Sequence, residues 1–198
     1  MMFVFSVVLG YCFGSLCSAV LICRAFGLPD PRSEGSRNPG ATNVLRIAGK
    51  KYALMVLCAD MLKGFLPVFL LKQLHAPLSV LGFTALAAVL GHMYPIFFKF
   101  RGGKGVATVL GALFGLNIIL GALTVLTWLV IALLFGYSSL AAMVAIALAP
   151  FYTIAIDPTL SLLRPLLITS LLIMIKHHEN IRRLCAKTEP KISWRKRS

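Results

Sequence analysis

Charged side chains, and acidic ones above all, are scarce in this sequence. Only 13% of the 198 residues are charged and 59% are hydrophobic, whereas an average soluble domain is about 25% charged and about 45–50% apolar. With a mean hydropathy of +0.87, this composition excludes an ordinary soluble domain and a disordered chain. Because the hydrophobic residues form long blocks, the composition indicates an integral membrane protein.

The shortage of acidic residues also limits the kinds of site that the chain can build. Six Asp and Glu residues stand against 20 Lys and Arg, which gives a net charge of +14 and suits an anionic partner. The carboxylates are scattered singly and the five cysteines lack metal-ligand spacing, so we expect no metal ion and no cofactor. The basic residues lie at loop ends without interleaved aromatic residues, so we expect no nucleic-acid partner.

The hydrophobic blocks predict an all-α, polytopic membrane protein that forms one integral membrane domain over residues 1–198. They cover residues 3–23, 52–71, 76–98, 106–135, 140–156 and 165–175. The 106–135 block would form a helix of about 45 Å, too long for one span, so we expect a break near residues 115–117. This gives about seven transmembrane helices, one of them short; five or six, or a re-entrant segment at 106–116, are alternatives. The first block lacks a basic leader and a cleavage site, which predicts a retained helix.

The positions of the basic residues predict the orientation in the membrane. If the connector 24–51, the loop 99–105 and the tail 176–198 share one side, that side holds 17 of the 20 Lys and Arg residues. The positive-inside rule then places this side and the C-terminus in the cytoplasm, with the N-terminus outside.

Two polar segments on this side suggest an anion site. The connector offers neutral hydrogen-bonding groups and a guanidinium fork suited to phosphate, at Ser36, Asn38, Thr42, Asn43 and Arg46. The loop Arg101-Gly-Gly-Lys-Gly105 precedes a predicted helix, where glycine backbone N–H groups, the helix dipole and Lys104 could bind an anion. It lacks the spacing of a nucleotide-binding P-loop. Solvated, topology-determining basic loops are the alternative interpretation of both segments.

The tail and two membrane spans contribute further polar candidates. If the tail is helical, His177 and Asn180 share a face, and His177 could exchange protons near neutral pH. The outer basic residues Arg182, Arg183 and Lys187 fit contact with anionic lipid headgroups. Within the spans, Asp60 and Lys63 can pair at i, i+3, and His92 could cap a neighbour or line the site.

Five motifs in one order give the sequence a specific family resemblance. They are GSRNPGATNVLR from Gly35, DMLKG from Asp60, GHMYP from Gly91, KFRGGKGVAT from Lys99, and HHENIR from His177 followed by Glu189. Over about residues 14–192 the chain resembles the bacterial membrane acyltransferases that move a fatty acyl group from acyl phosphate to glycerol 3-phosphate. The resemblance implies seven membrane helices, an outside N-terminus, and an active site on the cytoplasmic face of the bacterial inner membrane.

The resemblance also implies roles for individual residues. Ser36, Arg46, His177 and Asn180 would be catalytic or orienting, and Asn38, Thr42 and Asn43 would shape or bind the substrate. The phosphate of glycerol 3-phosphate would bind at Gly102, Gly103, Lys104, Gly105 and Thr108, with Asp60, Lys63, His92 and Glu189 in support. Implied partners are glycerol 3-phosphate, long-chain acyl phosphate, membrane lipids and, transiently, the enzyme that makes acyl phosphate. Position 37 is Arg where many relatives have Gly.

Two other functions fit parts of the sequence. A membrane anion transporter or channel would also use intramembrane charges, basic mouths and a broken helix. A membrane-anchored nucleic-acid binder fits least well. Among acyltransferases, the H-x4-D motif of enzymes that use acyl-CoA or acyl carrier protein is absent, because Phe97 follows His92 at that spacing and Arg182 follows His177. This absence disfavours those donors.

Overall fold

The computed structural model describes residues 1–192, which are helical apart from their connections. The α-helices are α1 Met2–Gly14, α2 Ser18–Ala25, α3 Ala41–Ala48, α4 Lys50–Gln73, α5 Leu78–Met93, α6 Val106–Leu116, α7 Ile118–Phe135, α8 Ser138–Ile156, α9 Leu163–Lys176 and α10 His178–Cys185, with a 3-10 helix at Ile96–Phe98. The predicted all-α class is confirmed. The end of the predicted basic tail, residues 193–198, lies outside the described residues.

Five segments of the described chain are long and apolar enough to cross a membrane. They are Met2–Ala25, Lys50–Gln73, Leu78–Phe98, Ile118–Phe135 and Ser138–Ile156. Helices α6 and α9 have 11 and 14 residues, fewer than the about 20 that a perpendicular span needs. The count of seven spans therefore stays a prediction, as does the orientation.

Asn117 divides the 106–135 block, as predicted. Its side chain accepts a hydrogen bond from the backbone N–H of Ile119 over 2.8 Å and lies 3.4 Å from that of Leu120. These N–H groups have no partner within their own helix, so the amide caps the start of α7. Helix α6 thus ends at Leu116, where the Nζ atom of Lys72 donates to the Leu116 carbonyl oxygen over 2.7 Å.

The first apolar block contains a break that the sequence analysis did not predict. Helix α1 ends at Gly14 and α2 begins at Ser18. The Leu16 carbonyl oxygen, freed by the break, accepts a hydrogen bond of 2.7 Å from Nζ of Lys63. A charged donor from another helix thus satisfies a backbone group that lipid could not satisfy.

Small residues allow the central helices to pack closely. A Cβ atom added at Gly64 or Gly111 would lie about 2 Å from a backbone oxygen of the partner helix in the α4–α6 pair. Gly14 of α1 packs as tightly against Ala88 of α5. Lipid tails are as apolar as the helix surfaces, so the hydrophobic effect does not hold transmembrane helices together. Close packing contacts of this kind drive their association instead. They fix α4, α5 and α6 around the start of α6, where the polar segments lie.

Candidate active site

The connector, the glycine loop and the tail meet at one end of the helix bundle. Lys104 Nζ of the glycine loop contacts Oδ1 of Asn180 in the tail. The loop backbone also lies against the connector, because a Cβ atom built on Gly103 would be 3.0 Å from the Pro39 carbonyl oxygen. These segments are more than 60 residues apart in sequence at each junction, so their contact is a product of the tertiary structure.

Asn180 bridges Lys104 and Glu189. Its Oδ1 accepts from the Lys104 ammonium, and its Nδ2 donates to Oε1 of Glu189 over 2.6 Å. Both ends of the amide are therefore occupied, which fixes the buried side chain in one orientation. This geometry gives Asn180 an orienting role toward Lys104.

Glu189 ties the tail to the start of α8. It accepts hydrogen bonds of 2.6 Å from Oγ of Ser139, Nδ2 of Asn180 and Nε of Arg183. Burial alone would raise the pKa of Glu189, but these hydrogen bonds outweigh it and hold the pKa below its usual value. The carboxylate is therefore ionised at neutral pH.

Lys104 lies in a cationic environment that favours an anionic ligand. Burial lowers the pKa of its ammonium, and the positive charges of Arg183 and Arg46 act in the same direction. Glu189 and Glu179 oppose this shift only in part. A phosphate next to Lys104 would relieve the repulsion among these cations, because opposite charges attract strongly in a poorly hydrated site.

His177 is buried between α9 and α10 in a defined tautomer. Its Nδ1 donates to the Ile173 carbonyl oxygen over 2.8 Å, which leaves Nε2 as a hydrogen-bond acceptor. Burial lowers the pKa of His177 to about 4, and the charge of Lys104 contributes in the same direction. The imidazole is therefore neutral at physiological pH.

Asn43 holds the connector in shape. Its Oδ1 accepts from the Ser36 backbone N–H over 2.8 Å, and its Nδ2 donates to the carbonyl oxygens of Pro31 and Glu34. Gly35 packs so closely on this side chain, at a φ of 60°, that a Cβ atom there would lie 2.4 Å from Oδ1. The interpretation of Asn43 as a substrate ligand therefore gives way to one in which it shapes the loop, because its amide is already engaged.

The other connector candidates remain accessible. The side chains of Ser36, Thr42 and Arg46 are exposed, and Asn38 is half-buried. Arg46 lies in the last turn of α3, close enough to influence Lys104. Arg37 is exposed as well and has a φ of 56°, a conformation that glycine adopts more readily.

The structure changes the interpretation of the glycine loop. A Cβ atom at Gly102 would clash with the His92 carbonyl oxygen, and one at Gly103 would lie 2.3 Å from the imidazole Nε2 of His92. The Gly103 N–H already donates to the His92 carbonyl oxygen over 3.1 Å, so it is not free for an anion. Thr108, predicted to bind substrate, is fully buried and lies 3.1 Å from His92 Nδ1. Gly105, at a φ of 91°, lies just before α6.

The intramembrane candidates form one buried cluster below this loop. Lys63 Nζ is 2.7 Å from Oδ1 of Asp60, and His92 Nδ1 is 3.5 Å from the same oxygen. The predicted pairing of Asp60 with Lys63 is confirmed.

Two residues of the cluster around Glu189 were missed, wholly or in part, by the sequence analysis. Ser139 precedes the 140–156 block and was given no role, although its hydroxyl donates to Glu189. Arg183 was expected only to contact lipid headgroups, and the structure gives it a further partner, because its Nε donates to Glu189. The sequence did contain a signal that Arg183 forms an ion pair within the protein. Glu179 lies four residues before it, a spacing typical of helical ion pairs.

An apolar groove of about 440 Å³ lies beside the polar cluster. It runs between α8, α9 and α10, and its lining includes Leu140, Met143, Ala147, Met174 and Ile181. Leu140 follows Ser139 and Ile181 follows Asn180, so the groove begins where the polar cluster ends. Its position and lining suit a hydrocarbon chain whose polar end lies at Lys104.

Comparison with known proteins matches nearly the whole chain to one family. A family model described as glycerol-3-phosphate acyltransferase matches residues 4–187. The glycerol-3-phosphate acyltransferase of Legionella pneumophila (strain Corby) is 52% identical over 194 residues, which cover 98% of this chain and 70% of that protein. The enzyme of the same name from Vibrio cholerae serotype O1 (strain M66-2) is 55% identical over 186 residues, covering 94% and 88%.

Two solved structures share the fold. A crystal structure of PlsY (YgiH), described as an integral membrane glycerol 3-phosphate acyltransferase in its glycerol 3-phosphate form, has a TM-score of 0.91 and 39% identity, covering 98% of this chain and 96% of that one. Its lysophosphatidic acid form has a TM-score of 0.89 and 38% identity, with the same coverage.

Proposed function

Since the chain belongs to the glycerol-3-phosphate acyltransferase family, we propose that it acylates the 1-hydroxyl of glycerol 3-phosphate with acyl phosphate as the donor. The products are lysophosphatidate and phosphate, and the reaction is the first acylation step of phospholipid synthesis. The observation that carries the proposal is the cationic cluster in which Asn180 and Glu189 join Lys104 to Arg183. The two solved relatives, described with the acceptor and the product of this reaction, support it.

The acceptor binds through its phosphate at Lys104, beside the start of α6. The ammonium is held by Asn180, and the helix dipole adds partial positive charge at this point. Arg46 and the Ser36 hydroxyl, both exposed on the neighbouring connector, supply further donors. Holding two anionic headgroups together in a reactive orientation can contribute about 7–11 kcal/mol to catalysis.

The donor is acyl phosphate because the site suits direct transfer. In acyl phosphate the phosphate is already a good leaving group, so the enzyme needs no covalent nucleophile. His177 donates from Nδ1 to a backbone carbonyl, whereas the histidine of a Ser-His-Asp triad donates to a carboxylate. The acceptor hydroxyl oxygen attacks the acyl carbon, the bond from that carbon to the phosphate oxygen breaks, and the electron pair leaves with phosphate. Lys104, Arg46 and Arg183 stabilise the developing charge.

The proton of the attacking hydroxyl goes either to His177 or to the phosphate of the donor. Because Nδ1 donates to Ile173, Nε2 of His177 carries the lone pair that would accept it, but a pKa of about 4 makes this imidazole a weak base. Acyl phosphate is a mixed anhydride and is more acidic than a phosphate monoester, whose second pKa is about 6, so the donor phosphate is also a weak base. The two routes predict different effects of replacing His177.

The acyl chain occupies the groove between α8, α9 and α10. Because the groove is apolar and begins beside Ser139 and Asn180, a donor whose phosphate lies at the cationic cluster can extend its chain there. This location explains why an enzyme with a small polar acceptor resides in the membrane. We place the site on the cytoplasmic face of the bacterial inner membrane, where the enzyme that makes acyl phosphate can deliver the donor.

The alternative function is an anion transporter or channel, in which the intramembrane charges would line the path of the transported anion. In the structure Asp60 and Lys63 are buried and paired with each other. Their presence is therefore explained without a transported ion.

The experiment that tests the proposal is a reconstituted assay. Purified protein is mixed with glycerol 3-phosphate and palmitoyl phosphate, and both released phosphate and lysophosphatidate are measured. We expect equal amounts of the two products, and phosphate release to depend on the acceptor. Palmitoyl-CoA and palmitoyl-acyl carrier protein serve as control donors.

Two outcomes would overturn the proposal. Product formed only from palmitoyl-CoA or palmitoyl-acyl carrier protein would reject the donor assignment. Phosphate uptake into sealed vesicles without lysophosphatidate would instead support transport.

A further inference from the structure

A series of buried polar contacts lies directly beneath the proposed phosphate site. Lys63 Nζ contacts Asp60 Oδ1 at 2.7 Å and donates to the Leu16 carbonyl oxygen at 2.7 Å. The same Asp60 oxygen lies 3.5 Å from Nδ1 of His92. The contacts thus connect the break between α1 and α2 with α4 and α5.

His92 links this charge pair to the glycine loop. On one side of its ring, Nδ1 faces both Asp60 and the hydroxyl of Thr108, the latter at 3.1 Å. On the other side, Nε2 lies where a Cβ atom on Gly103 would be only 2.3 Å away. The His92 carbonyl oxygen also accepts the Gly103 N–H over 3.1 Å. The loop that presents Lys104 therefore rests on His92 through both side chain and backbone.

A charge pair inside a membrane protein is expensive to maintain. Removing two charges from water costs several kcal/mol per ion, and replacing a buried pair by apolar residues is often neutral or stabilising. Lys63 also satisfies the Leu16 carbonyl oxygen, but stability does not explain why its charge is paired with Asp60. Asp60 faces His92, which in turn contacts the glycine loop. This location offers a functional reason for the charge pair.

We propose that Asp60, Lys63 and His92 are positioning residues that hold the glycine loop in the geometry that binds the acceptor phosphate. This inference rests on the proposed function. Lys63 neutralises Asp60 and anchors it to the α1–α2 break, Asp60 orients the His92 ring, and His92 supports Gly103 next to Lys104. The three side chains act on glycerol 3-phosphate through the loop rather than by touching it.

The test compares a charge-neutral double variant with the wild type. Asp60→Asn alone leaves Lys63 unpaired, whereas Asp60→Asn with Lys63→Met removes both charges and avoids an uncompensated buried ion. We expect the double variant to fold with a lower Tm than the wild type, because Lys63→Met also leaves the Leu16 carbonyl oxygen without its donor. Its Kd for glycerol 3-phosphate, measured by calorimetry on purified protein, should rise about 10-fold because the loop is misplaced. The KM for palmitoyl phosphate should change less than about twofold.

A second pair of variants keeps the inference testable if the double variant fails to fold. Thr108→Val removes the hydroxyl that faces His92 while preserving side-chain shape. Thr84→Val is the matched control, because Thr84 is equally buried but its hydroxyl donates only within its own helix, to Val80. We expect a weaker affinity for glycerol 3-phosphate in the Thr108 variant alone.

The outcomes separate this inference from the proposed function. A double variant with wild-type affinity for glycerol 3-phosphate, or equal affinities in the two threonine variants, would overturn the positioning role. Wild-type protein that binds glycerol 3-phosphate but does not turn over palmitoyl phosphate would contradict the donor assignment alone, and the binding comparison would still decide the role of Asp60.

Discussion

Asn43 and Asn180 each join parts of the chain that their own helices do not hold. Asn43 connects α3 to the loop around Pro31, Glu34 and Ser36. Asn180 connects Lys104 to Glu189. A buried amide can donate and accept at once without carrying a charge. At the residue scale, neutral amide side chains therefore fix the geometry of the site, and the neighbouring cations attract the anionic substrates.

Lys104 provides the most direct test of the phosphate site. Lys104→Ala should raise the KM for glycerol 3-phosphate about 10-fold or more, because a hydrogen bond to a charged group contributes about 1.5–3 kcal/mol. Lys99→Ala is the control, since Lys99 is an exposed cation of the same loop. Steady-state kinetics with acceptor varied at saturating donor measures the effect. An unaltered KM in the Lys104 variant would remove this lysine from the pocket.

His177 can be tested by contrasting two substitutions. His177→Ala should lower kcat in either mechanism, whereas His177→Gln keeps a hydrogen-bonding group near the position of Nε2 but cannot take a proton. If His177 is the general base, both variants should lose about 10²-fold or more in kcat. If the donor phosphate takes the proton, the glutamine variant should retain most of the activity. Unchanged kcat in the alanine variant would exclude any role for His177.

The lowered pKa of His177 also predicts a pH dependence of stability. The folded protein holds the imidazole neutral down to about pH 4, whereas the unfolded chain protonates it below about pH 6.5. The unfolded state therefore binds more protons between these values, and stability should fall as the pH decreases from 6.5 to 4. Thermal unfolding across this range should show a weaker dependence in His177→Gln than in the wild type.

At the scale of elements, the short helices are the ones that build the site. Helices α3 and α10 have eight residues each and α6 has 11, and each presents polar residues near one of its ends to the same region. Helices this short are marginal by themselves. Within residues 1–192, none of these three helices has a side-chain cap at its start, so their stability comes from packing against their neighbours.

The cap of α7 can be removed without touching the site. Asn117→Ala deletes the side chain that accepts from Ile119 and faces Leu120, which should destabilise the protein by about 0.5–2 kcal/mol. Asn117→Ser should retain most of the stability because serine is also a good N-cap. Thermal unfolding in detergent measures both. Equal Tm values for the alanine variant and the wild type would show that this amide is not needed at the break.

The groove between α8, α9 and α10 predicts a change in chain-length preference. Ala147→Phe would fill part of the groove, so kcat/KM should fall for palmitoyl phosphate and fall less for shorter acyl phosphates. Leu133→Phe is the control, because Leu133 is 69% exposed on α7, away from the groove. Competition assays with mixed donors give the ratio. A parallel loss for all chain lengths would contradict placement of the chain here.

At the scale of the whole molecule, two groups of polar contacts mark opposite ends of the helix bundle. The starts of α6 and α8 and the start of α10 meet through Lys104, Ser139 and Asn180, whereas the end of α4 meets the end of α6 through Lys72. Successive helices after the glycine loop therefore run alternately away from and toward the site. This alternation is consistent with the prediction that the glycine loop and the tail lie on the same side of the membrane.

The membrane orientation can be measured by cysteine labelling. In a variant without the five native cysteines, Lys99→Cys lies on the side predicted to be cytoplasmic and Thr159→Cys on the opposite side. A membrane-impermeant maleimide added to spheroplasts should label the Thr159 position at once and the Lys99 position only after permeabilisation. Labelling of the Lys99 position in intact spheroplasts would reverse the predicted orientation.

The sequence by itself determined the helical class, the division of the 106–135 block at Asn117 and the family, because length of apolar runs, helix capping and motif order are properties of neighbouring residues. It also indicated that Asp60 could pair with Lys63, since three residues span one helical turn. Only the tertiary structure decided that Leu16 lies at a helix break beside Lys63, that Arg183 and Ser139 join Glu189, and that His92 supports the glycine loop. These features depend on contacts between segments far apart in the chain, and only the packing of the helices fixes which side chains meet.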